Sequence, residues 1–274
     1  MLGNAVLRFF TESSGYVAWG SVRSEDTLRQ LPQTIRDRVI GVADVENLNN
    51  LSDLFAKTDP EVVINCIGVV KQLAGANDPL VAIPTNALLP HRLARLCQVE
   101  GARLVHISTD CVFSGTKGSY LEGDPADAQD LYGRTKFLGE VDGPNCVTLR
   151  TSIIGHELNS AHGLLGWFLA QPAAVKGFTR VVFSGLPTNE LARVIRDYVL
   201  LRSEMHGVYH VSAARISKFE LLRLIAQVYG RTNEIVPDDK LVIDRSLDSA
   251  KFRKATDYLP PTWPELVRMM RDFG

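Results

Sequence analysis

Two side chains capable of acid–base chemistry stand four residues apart in the segment "YGRTK". They are Tyr132 and Lys136. On a helix this spacing puts both side chains on one face, roughly 5–6 Å apart at their Cβ atoms. An ammonium beside a phenol stabilises the phenolate, which lowers the phenol pKa from about 10 toward neutral pH. The segment therefore predicts an acid–base residue, Tyr132, with Lys136 as the group that tunes it.

Polar clusters follow three of the predicted strands. They read "NCIGVVK" after "EVVI", "STDCVFSG" after "LVHI" and "RTSIIGHE" after "CVTL". In a doubly wound parallel sheet, ligands bind beyond the carboxyl ends of the strands. The second cluster carries the hydroxyl groups of Ser108 and Thr109, and the segment with Tyr132 follows it closely. We expect these groups to share one site at that edge of the sheet.

The elements that must position these groups alternate between helix-like and strand-like segments. Amphipathic helices are predicted at "NAVLRFFTE", "NLNNLSDLFAKTDP", "TNALLPHRLARLCQVEG" and "DLYGRTKFLGEVDG". Short strands are predicted at "GYVAWGSV", "EVVINCIG", "RLVHIST" and "CVTLRTSII". Short apolar runs between helices are typical of strands that are covered on both faces. The predicted fold class is therefore α/β, with a doubly wound parallel sheet and a smaller C-terminal lobe.

Composition and charge favour a small-molecule partner. The chain has 274 residues, 45% of them hydrophobic, with 30 Lys and Arg against 31 Asp and Glu. This balance gives no basic field for nucleic acid or an anionic membrane surface. The four cysteines lie far apart without a metal-like spacing, which predicts reduced thiols and a cytoplasmic protein. The sequence shows neither an apolar run long enough to span a membrane nor a signal peptide.

Four segments together resemble a known family. "HISTDCVFSG", "YGRTKFLGE", "TLRTSIIG" and "FSGLPTNELARVI" are similar to segments of the extended short-chain dehydrogenase/reductase superfamily. Within it they resemble the dTDP-4-dehydrorhamnose reductase-like sugar-nucleotide reductases. The resemblance implies a Rossmann-type dinucleotide-binding domain over residues 1–154. It also implies a mainly substrate-binding lobe over residues 155–274, with some of its segments returning to the sheet.

The resemblance assigns a role to each catalytic candidate. Tyr132 would donate a proton to a ketone oxygen, and Lys136 would tune Tyr132 and bind the nicotinamide ribose. Thr109 would hold the substrate oxygen. Ser108 is the weaker hydroxyl candidate, because a hydroxyl at a strand end often only caps a turn. Asp110 would either orient substrate or satisfy nearby backbone amides.

The same resemblance implies a dinucleotide cofactor, with NADP(H) preferred and NAD(H) as the alternative. The preference for NADP(H) rests on Arg23, because a guanidinium can pair with a 2′-phosphate. The alternative is that Arg23 is a solvated loop arginine without a role in binding. Asp44 would lie near the adenine, and Asn86 would support the strand before it or serve only as helix polarity. The full set implied to line the cofactor is Leu2, Gly3, Arg23, Asp44, Val45, Cys66, Ile67, Gly68, Asn86, Ser108, Tyr132, Lys136 and Ser152.

The substrate side is defined by fewer residues. Arg245 would clamp a diphosphate bidentately, and Thr188 would contact substrate or merely cap the helix that follows it. Trp167 is expected in the core, because it shares helical spacing with leucines. The residues predicted to contact substrate are Val70, Asp110, Glu157, Thr188 and Arg245.

The opening segment "MLGNAVLRFF" resembles the second half of a phosphate-binding turn. Gly3 fits the last glycine of the superfamily's G-x-x-G-x-x-G motif, which is preceded by a strand in the middle of the sheet. The turn's amides and the helix N-terminus bind pyrophosphate. The expectation is a start-site truncation, with loss of cofactor binding as the alternative. A sheet without that strand would expose strand edges.

The function that these features predict is NADP(H)-dependent reduction of a 4-keto group. The substrate would be a deoxysugar linked to dTDP or UDP, for surface polysaccharide or O-antigen precursor synthesis. An epimerase or dehydratase on the same scaffold is the alternative enzyme. A non-catalytic regulatory subunit of the same fold is the alternative from another class. The expected partners are a nucleotide sugar and a second copy of the chain in a homodimer, without nucleic acid or membrane.

Overall fold

Helices and strands alternate along the chain, of which the computed structural model describes residues 1–42, 44–158 and 160–274. The α-helices are α1 Leu2–Thr11, α2 Glu25–Gln30, α3 Gln33–Arg36, α4 Leu48–Thr58, α5 Pro79–Ala82, α6 Leu89–Glu100, α7 Leu131–Leu138, α8 Leu164–Leu169, α9 Thr188–Val194, α10 Lys218–Tyr229, α11 Ala250–Thr256 and α12 Trp263–Phe273. The strands are β1 Gly20–Val22, β2 Val39–Gly41, β3 Val62–Asn65, β4 Arg103–Thr109, β5 Cys146–Thr151, β6 Ile153–Ile154, β7 Val175–Phe178, β8 Val181–Phe183, β9 Leu186–Pro187, β10 Gly207–His210, β11 Ile216–Ser217, β12 Ile235–Asp238 and β13 Ile243–Asp244. Short 3₁₀ or π-helical turns cover Ala74–Asn77, Ile83–Leu88, Asp110–Val112 and Ile195–Val199.

Four parallel strands form the sheet that carries the site, in the order β10–β5–β4–β3. The register places Thr109, at the end of β4, opposite Thr151 at the end of β5. Strand β10 comes from the last third of the chain and pairs with β5. The polar segments that follow β3, β4 and β5 therefore leave the sheet at the same edge, as predicted.

Side chains of β4 alternate between two apolar cores on opposite faces of the sheet. Val105 and Ile107 pack in the larger core with residues of α1, α9, α10 and α12. Leu104 packs in the second core with Leu51 of α4 and Leu93 of α6. Helices therefore cover both faces, which confirms the prediction of a doubly wound α/β fold.

The first two strands form a separate parallel sheet of their own. The predicted strand "GYVAWGSV" is too long, because only Gly20–Val22 pairs with β2, while Val17 is 75% exposed. In the described part of the chain no backbone pairing joins this sheet to the larger one. Strand β3 is thus an outer strand, and Val62 and Ile64 are only partly buried.

The later strands make small sheets beside the main one. Strand β6 pairs with β9, β7 with β12, and β8 with both β11 and β13. The division of the chain into a domain over 1–154 and a lobe over 155–274 stays a prediction. Among the described residues, none of the helices combines the length and apolarity needed to cross a membrane.

A buried ion pair lies between β5 and the end of α7. Arg150 donates from Nε and Nη2 to the two carboxylate oxygens of Glu140, both at 2.7 Å, and their side chains are 4% and 6% exposed. Ser108 donates to the same carboxylate at 2.7 Å. The cluster ties β4, β5 and the segment after α7 together with little exposure to solvent.

Substitution Glu140→Gln is expected to lower the free energy of unfolding by about 3 kcal/mol, because it leaves the buried Arg150 charge unpaired. The matched control is Glu25→Gln, which removes the carboxylate of a pair whose side chains are 73% and 84% exposed. We expect that control to cost less than about 0.5 kcal/mol. Denaturant unfolding of both variants checks the difference, and equal costs would contradict it.

Candidate functional site

Helix α7 contacts its neighbours directly through its backbone. The Asp130 carboxylate caps its first turn by accepting the Gly133 N–H at 2.9 Å. A Cβ on Gly133 would collide with the carbonyl oxygen of Cys111, and a Cβ on Gly139 would collide with that of Asn86. Glycine is required at both positions, because the helix lies flush against the turn after β4 and against the helix over 83–88. The side chains of α7 consequently reach the carboxyl end of β4.

Lys136 is buried on that helix, with 5% of its surface exposed. Its Nζ donates to the carbonyl oxygen of Ile107 on β4 at 2.8 Å. Burial lowers the pKa of Lys136 to about 8, while the nearby Glu140 and Cys66 oppose that shift. The ammonium is therefore held between the ends of β3 and β4, where a small change of environment alters its charge near neutral pH.

The pKa of Tyr132 moves in the opposite direction from the one predicted. Burial raises it above its ordinary value, and Coulomb interactions with Cys111, Asp110 and Asp130 raise it further. Interaction with Thr109 opposes the rise. The prediction that Lys136 lowers this pKa was wrong, because burial dominates, the ammonium is bound to a strand carbonyl, and Asp110 and Asp130 add negative charge near the phenol. Tyr132 is thus held as a protonated phenol, a donor rather than an acceptor.

Thr109 and Asp110 form the turn that faces Tyr132. The Thr109 Oγ1 accepts the N–H of Cys111 at 3.1 Å and lies 3.2 Å from Asp110 Oδ1. Thr109 is therefore the cap of this turn, and its hydroxyl also donates to the Asp110 carboxylate. Burial raises the pKa of Asp110, and Arg245 is the first of the groups that oppose the rise.

Ser108 lies on the opposite face of the sheet from Thr109, because successive strand residues alternate. Its hydroxyl donates to Glu140 in the buried ion pair. The structure therefore does not bring the Ser108 side chain together with Thr109, Tyr132 and the predicted cofactor residues. Its role is to hold the strands together.

The segment after β3 is held at both ends by asparagines. Asn65 Oδ1 accepts the Ile67 N–H at 3.0 Å, and Asn86 binds both the N–H and the carbonyl of Val69, at 2.8 and 3.1 Å. Asn86 is fully buried, so it supports this segment rather than serving as surface polarity. A Cβ on Gly68 would lie 3.3 Å from the Asn86 Oδ1.

The first turn of α1 lies against this segment. A Cβ on Gly3 would stand 3.6 Å from the Cβ of Cys66, whereas the Leu2 side chain is buried in the larger core. The Met1 side chain does not cap the N-terminus of α1. The backbone N–H groups of the first turn have no acceptor within the helix, so those of Leu2 and Gly3 could donate to a ligand here.

The other predicted cofactor residues lie farther out. Arg23 is exposed directly after β1, and Asp44 is exposed after β2, where its carboxylate accepts the Glu46 N–H at 2.8 Å. Val45 packs against the second core. Ser152 follows β5 and interacts with Asp110, on the site's side of the sheet.

The predicted substrate residues divide into two groups. Arg245 donates from Nε to the Phe113 carbonyl oxygen at 2.7 Å and influences Asp110, so it belongs to the site. Val70 is 45% exposed in the segment after β3. Thr188 begins α9 and packs against Gly155.

Glu157 is occupied by its own loop, since it accepts from the Ser160 hydroxyl at 2.8 Å and the Gly163 N–H at 2.7 Å. It orders the approach to α8 instead of presenting a free carboxylate. Trp167 on α8 was expected in the core but is 38% exposed, and its neighbours Leu165 and Phe168 fill the core instead.

One residue of the site was missed from the sequence. Lys218 is the first residue of α10, and burial lowers its pKa, with Asp110, Cys111 and Arg245 as the charged groups around it. The sequence carried only the helix-start signal, a capping box between Ser217 and Glu220. Nothing local to "SKFE" shows that this helix begins opposite the turn after β4.

Comparison with known proteins fits this arrangement. The family described as RmlD substrate binding domain matches residues 1–268. The chain belongs to this family. A relative from Burkholderia thailandensis, named dTDP-4-dehydrorhamnose reductase, is 33% identical over an alignment that covers 81% of this chain and 71% of the relative. "Probable low-salt glycan biosynthesis reductase Agl14" of Haloferax volcanii is 27% identical over an alignment that covers 93% of this chain and 85% of that protein.

The RmlD fold is also found among solved structures. A dTDP-4-dehydrorhamnose reductase from Bacillus anthracis, solved in complex with NADP, superposes with a TM-score of 0.74. The alignment covers 90% of this chain and 94% of that one, at 20% sequence identity, a level at which only the fold is compared.

The depressed pKa of Lys136 in this RmlD-family chain predicts how stability depends on pH. Between about pH 8 and its ordinary pKa of 10.5, the unfolded chain holds more protons at Lys136 than the folded chain. The free energy of unfolding therefore rises with pH across that window, relative to a Lys136→Met variant. Below about pH 8 Lys136 is charged in both states, and the folded protein bears the full cost of burying that charge.

Denaturant unfolding of wild type and Lys136→Met from pH 7 to 10 checks this expectation. The matched control is Lys57→Met, at an exposed position in the last turn of α4. Its stability should run parallel to wild type. A wild-type stability that also ran parallel to Lys136→Met would contradict the expectation.

Proposed function

We propose that the chain is an NADP(H)-dependent reductase of a 4-keto group on a deoxysugar linked to dTDP or UDP. The observation that carries the proposal is Tyr132, a partly buried phenol held protonated beside Thr109 at the carboxyl edge of the sheet. Membership of the RmlD family supports it, as do relatives named as reductases. Surface polysaccharide or O-antigen precursor synthesis is the setting we propose, in a cytoplasmic homodimer.

The residues present fit a nicotinamide dinucleotide. Gly3 keeps a side chain out of the space between the first turn of α1 and Cys66, and Gly68 leaves room for the Asn86 amide that holds the segment after β3. The free amides of that turn would bind a phosphate oxygen, and Lys136 would reach the ribose on the nicotinamide side. When bound, the reduced nicotinamide would supply the hydride. Asp44 and Arg23 would meet the adenosine end.

The protein's own groups would then handle the proton and the orientation of the substrate. The Tyr132 hydroxyl donates its proton to the ketone oxygen, and the Thr109 hydroxyl hydrogen-bonds the same oxygen. Because burial keeps the Tyr132 pKa high, the phenol stays loaded across neutral pH. Arg245 would bind the diphosphate of the sugar nucleotide.

Substitution Tyr132→Phe removes the proton donor and is expected to reduce kcat/KM by about 10²–10⁴-fold. NADPH consumption with dTDP- and UDP-linked 4-keto-6-deoxy sugars measures it. Tyr16→Phe, on the far side of α1, is the matched control and should retain full activity.

Undiminished turnover in Tyr132→Phe would rule out Tyr132 as the donor. A wild-type protein that retains tightly bound cofactor and interconverts nucleotide sugars without net NADPH consumption would indicate an epimerase or dehydratase. A folded wild type that turns over none of the panel and co-purifies with a stoichiometric partner would indicate a regulatory subunit.

Arg23 provides a separate test of cofactor preference. A guanidinium that pairs with the 2′-phosphate contributes a charge-assisted hydrogen bond, so Arg23→Ala should raise the KM for NADPH by roughly tenfold. The KM for NADH should be unchanged. The control is Arg29→Ala, because Arg29 is also an exposed arginine but lies on α2. An equal effect of Arg23→Ala on both cofactors would show that Arg23 does not select between them.

A further inference from the structure

A buried histidine that the proposed chemistry does not use lies behind the site, on β4. His106 lies in the middle of β4 and is fully buried, and Asn65, at the end of β3, is 2% exposed. The register of the two parallel strands sets these residues side by side. The Asn65 Nδ2 and the His106 Nδ1 are 3.1 Å apart.

The hydrogen bonds of Asn65 fix which ring nitrogen of His106 accepts. The Ile67 N–H can only donate, and it lies 3.0 Å from the Asn65 Oδ1, so the amide oxygen must point to Ile67. The amide nitrogen then faces the ring, and the His106 Nδ1 must be the bare acceptor. The proton of the neutral ring consequently resides on Nε2.

The environment of the ring favours its neutral form. Burial, together with positive charge at Lys136 and His91, lowers the pKa of His106 well below its ordinary value. Nε2 has no hydrogen-bond partner in the described part of the chain. A protonated ring would present an N–H to the Asn65 amide N–H. The hydrogen bonds that run from His106 through Asn65 to Ile67 therefore form only when the ring is neutral.

The segment 66–69, which these hydrogen bonds hold, forms one wall of the site. Asn65 fixes Ile67 and Asn86 fixes Val69, so the intervening backbone of Cys66 and Gly68 is clamped from both sides. Cys66 touches the first turn of α1 on one side and influences Lys136 on the other. A shift of this wall therefore moves two parts of the site at once.

We propose that His106 is a positioning residue of the site, acting through Asn65 to fix the backbone of Cys66–Gly68 where a dinucleotide would pass. The role toward the cofactor rests on the proposed function. The role in ordering the segment does not, and it is measurable in the protein without any ligand.

The test compares three variants of the full chain. His106→Leu removes the acceptor, and His106→Asn keeps an amide oxygen close to the position of Nδ1. Leu104→Ala is the control, because Leu104 is a fully buried residue on the same strand and the same face. Amide hydrogen exchange at Ile67 is read in each variant without cofactor, and the Kd for NADPH is read by titration.

In His106→Leu the Ile67 amide should exchange roughly 5- to 100-fold faster, and the Kd for NADPH should rise by a similar factor, because Asn65 loses its partner. His106→Asn should restore both toward wild type. Leu104→Ala should lower global stability and leave local exchange at Ile67 and the Kd unchanged. Equal effects of His106→Leu and Leu104→Ala on Ile67 would overturn the positioning role.

The ring tautomer gives a second test that requires no variant to fold. Nitrogen NMR of wild type should show the His106 Nε2 protonated and Nδ1 bare, and an Nδ1-protonated ring would overturn the proposal. Failure of NADPH turnover would contradict the proposed function alone. Exchange at Ile67 and the tautomer decide the positioning role separately.

Discussion

The site depends on one close contact, the approach of α7 to the turn after β4. Because Gly133 in α7 and Gly139 just after it have no side chains, the backbone of this helix can lie against the carbonyl oxygens of Cys111 and Asn86. Glycine within a helix costs about 1 kcal/mol relative to alanine, and here the direct contact offsets that cost. It brings Tyr132 beside Thr109 and carries the Lys136 ammonium to the strand carbonyl of Ile107.

Burial sets the electrostatics of everything that this contact assembles. The same loss of solvent raises the pKa of Tyr132 and Asp110 and lowers that of Lys136, so each group favours its neutral form. Charges that must persist are paired on the other face, as with Glu140 and Arg150. The sheet thus separates a site with tunable protons from a fixed ion pair that holds the strands.

Much of this arrangement could be predicted from the sequence. The strand over 103–109 matches its predicted segment because its apolar run ends in polar residues, and the four-residue spacing placed Tyr132 and Lys136 on one helix. Other features depend on contacts between distant segments. The direction of the Tyr132 pKa is set first by burial and then by Cys111 and two aspartates that the fold brings near, and Lys218 comes from a helix more than eighty residues later. Strand alternation alone could have separated Ser108 from Thr109.

The divided sheet has a consequence for how the molecule unfolds. Strands β1 and β2 share no backbone hydrogen bonds with the larger sheet in the described residues, and their small core centres on Leu7, Leu31 and Ile35. Leu7 belongs to α1, whose Val6 and Phe10 pack in the larger core. The two parts are therefore coupled through side chains of α1 and through Ala18, which packs against both cores, instead of through a continuous ladder. We expect the β1–β2 unit to open as a separate foldon, at a free energy below that of global unfolding.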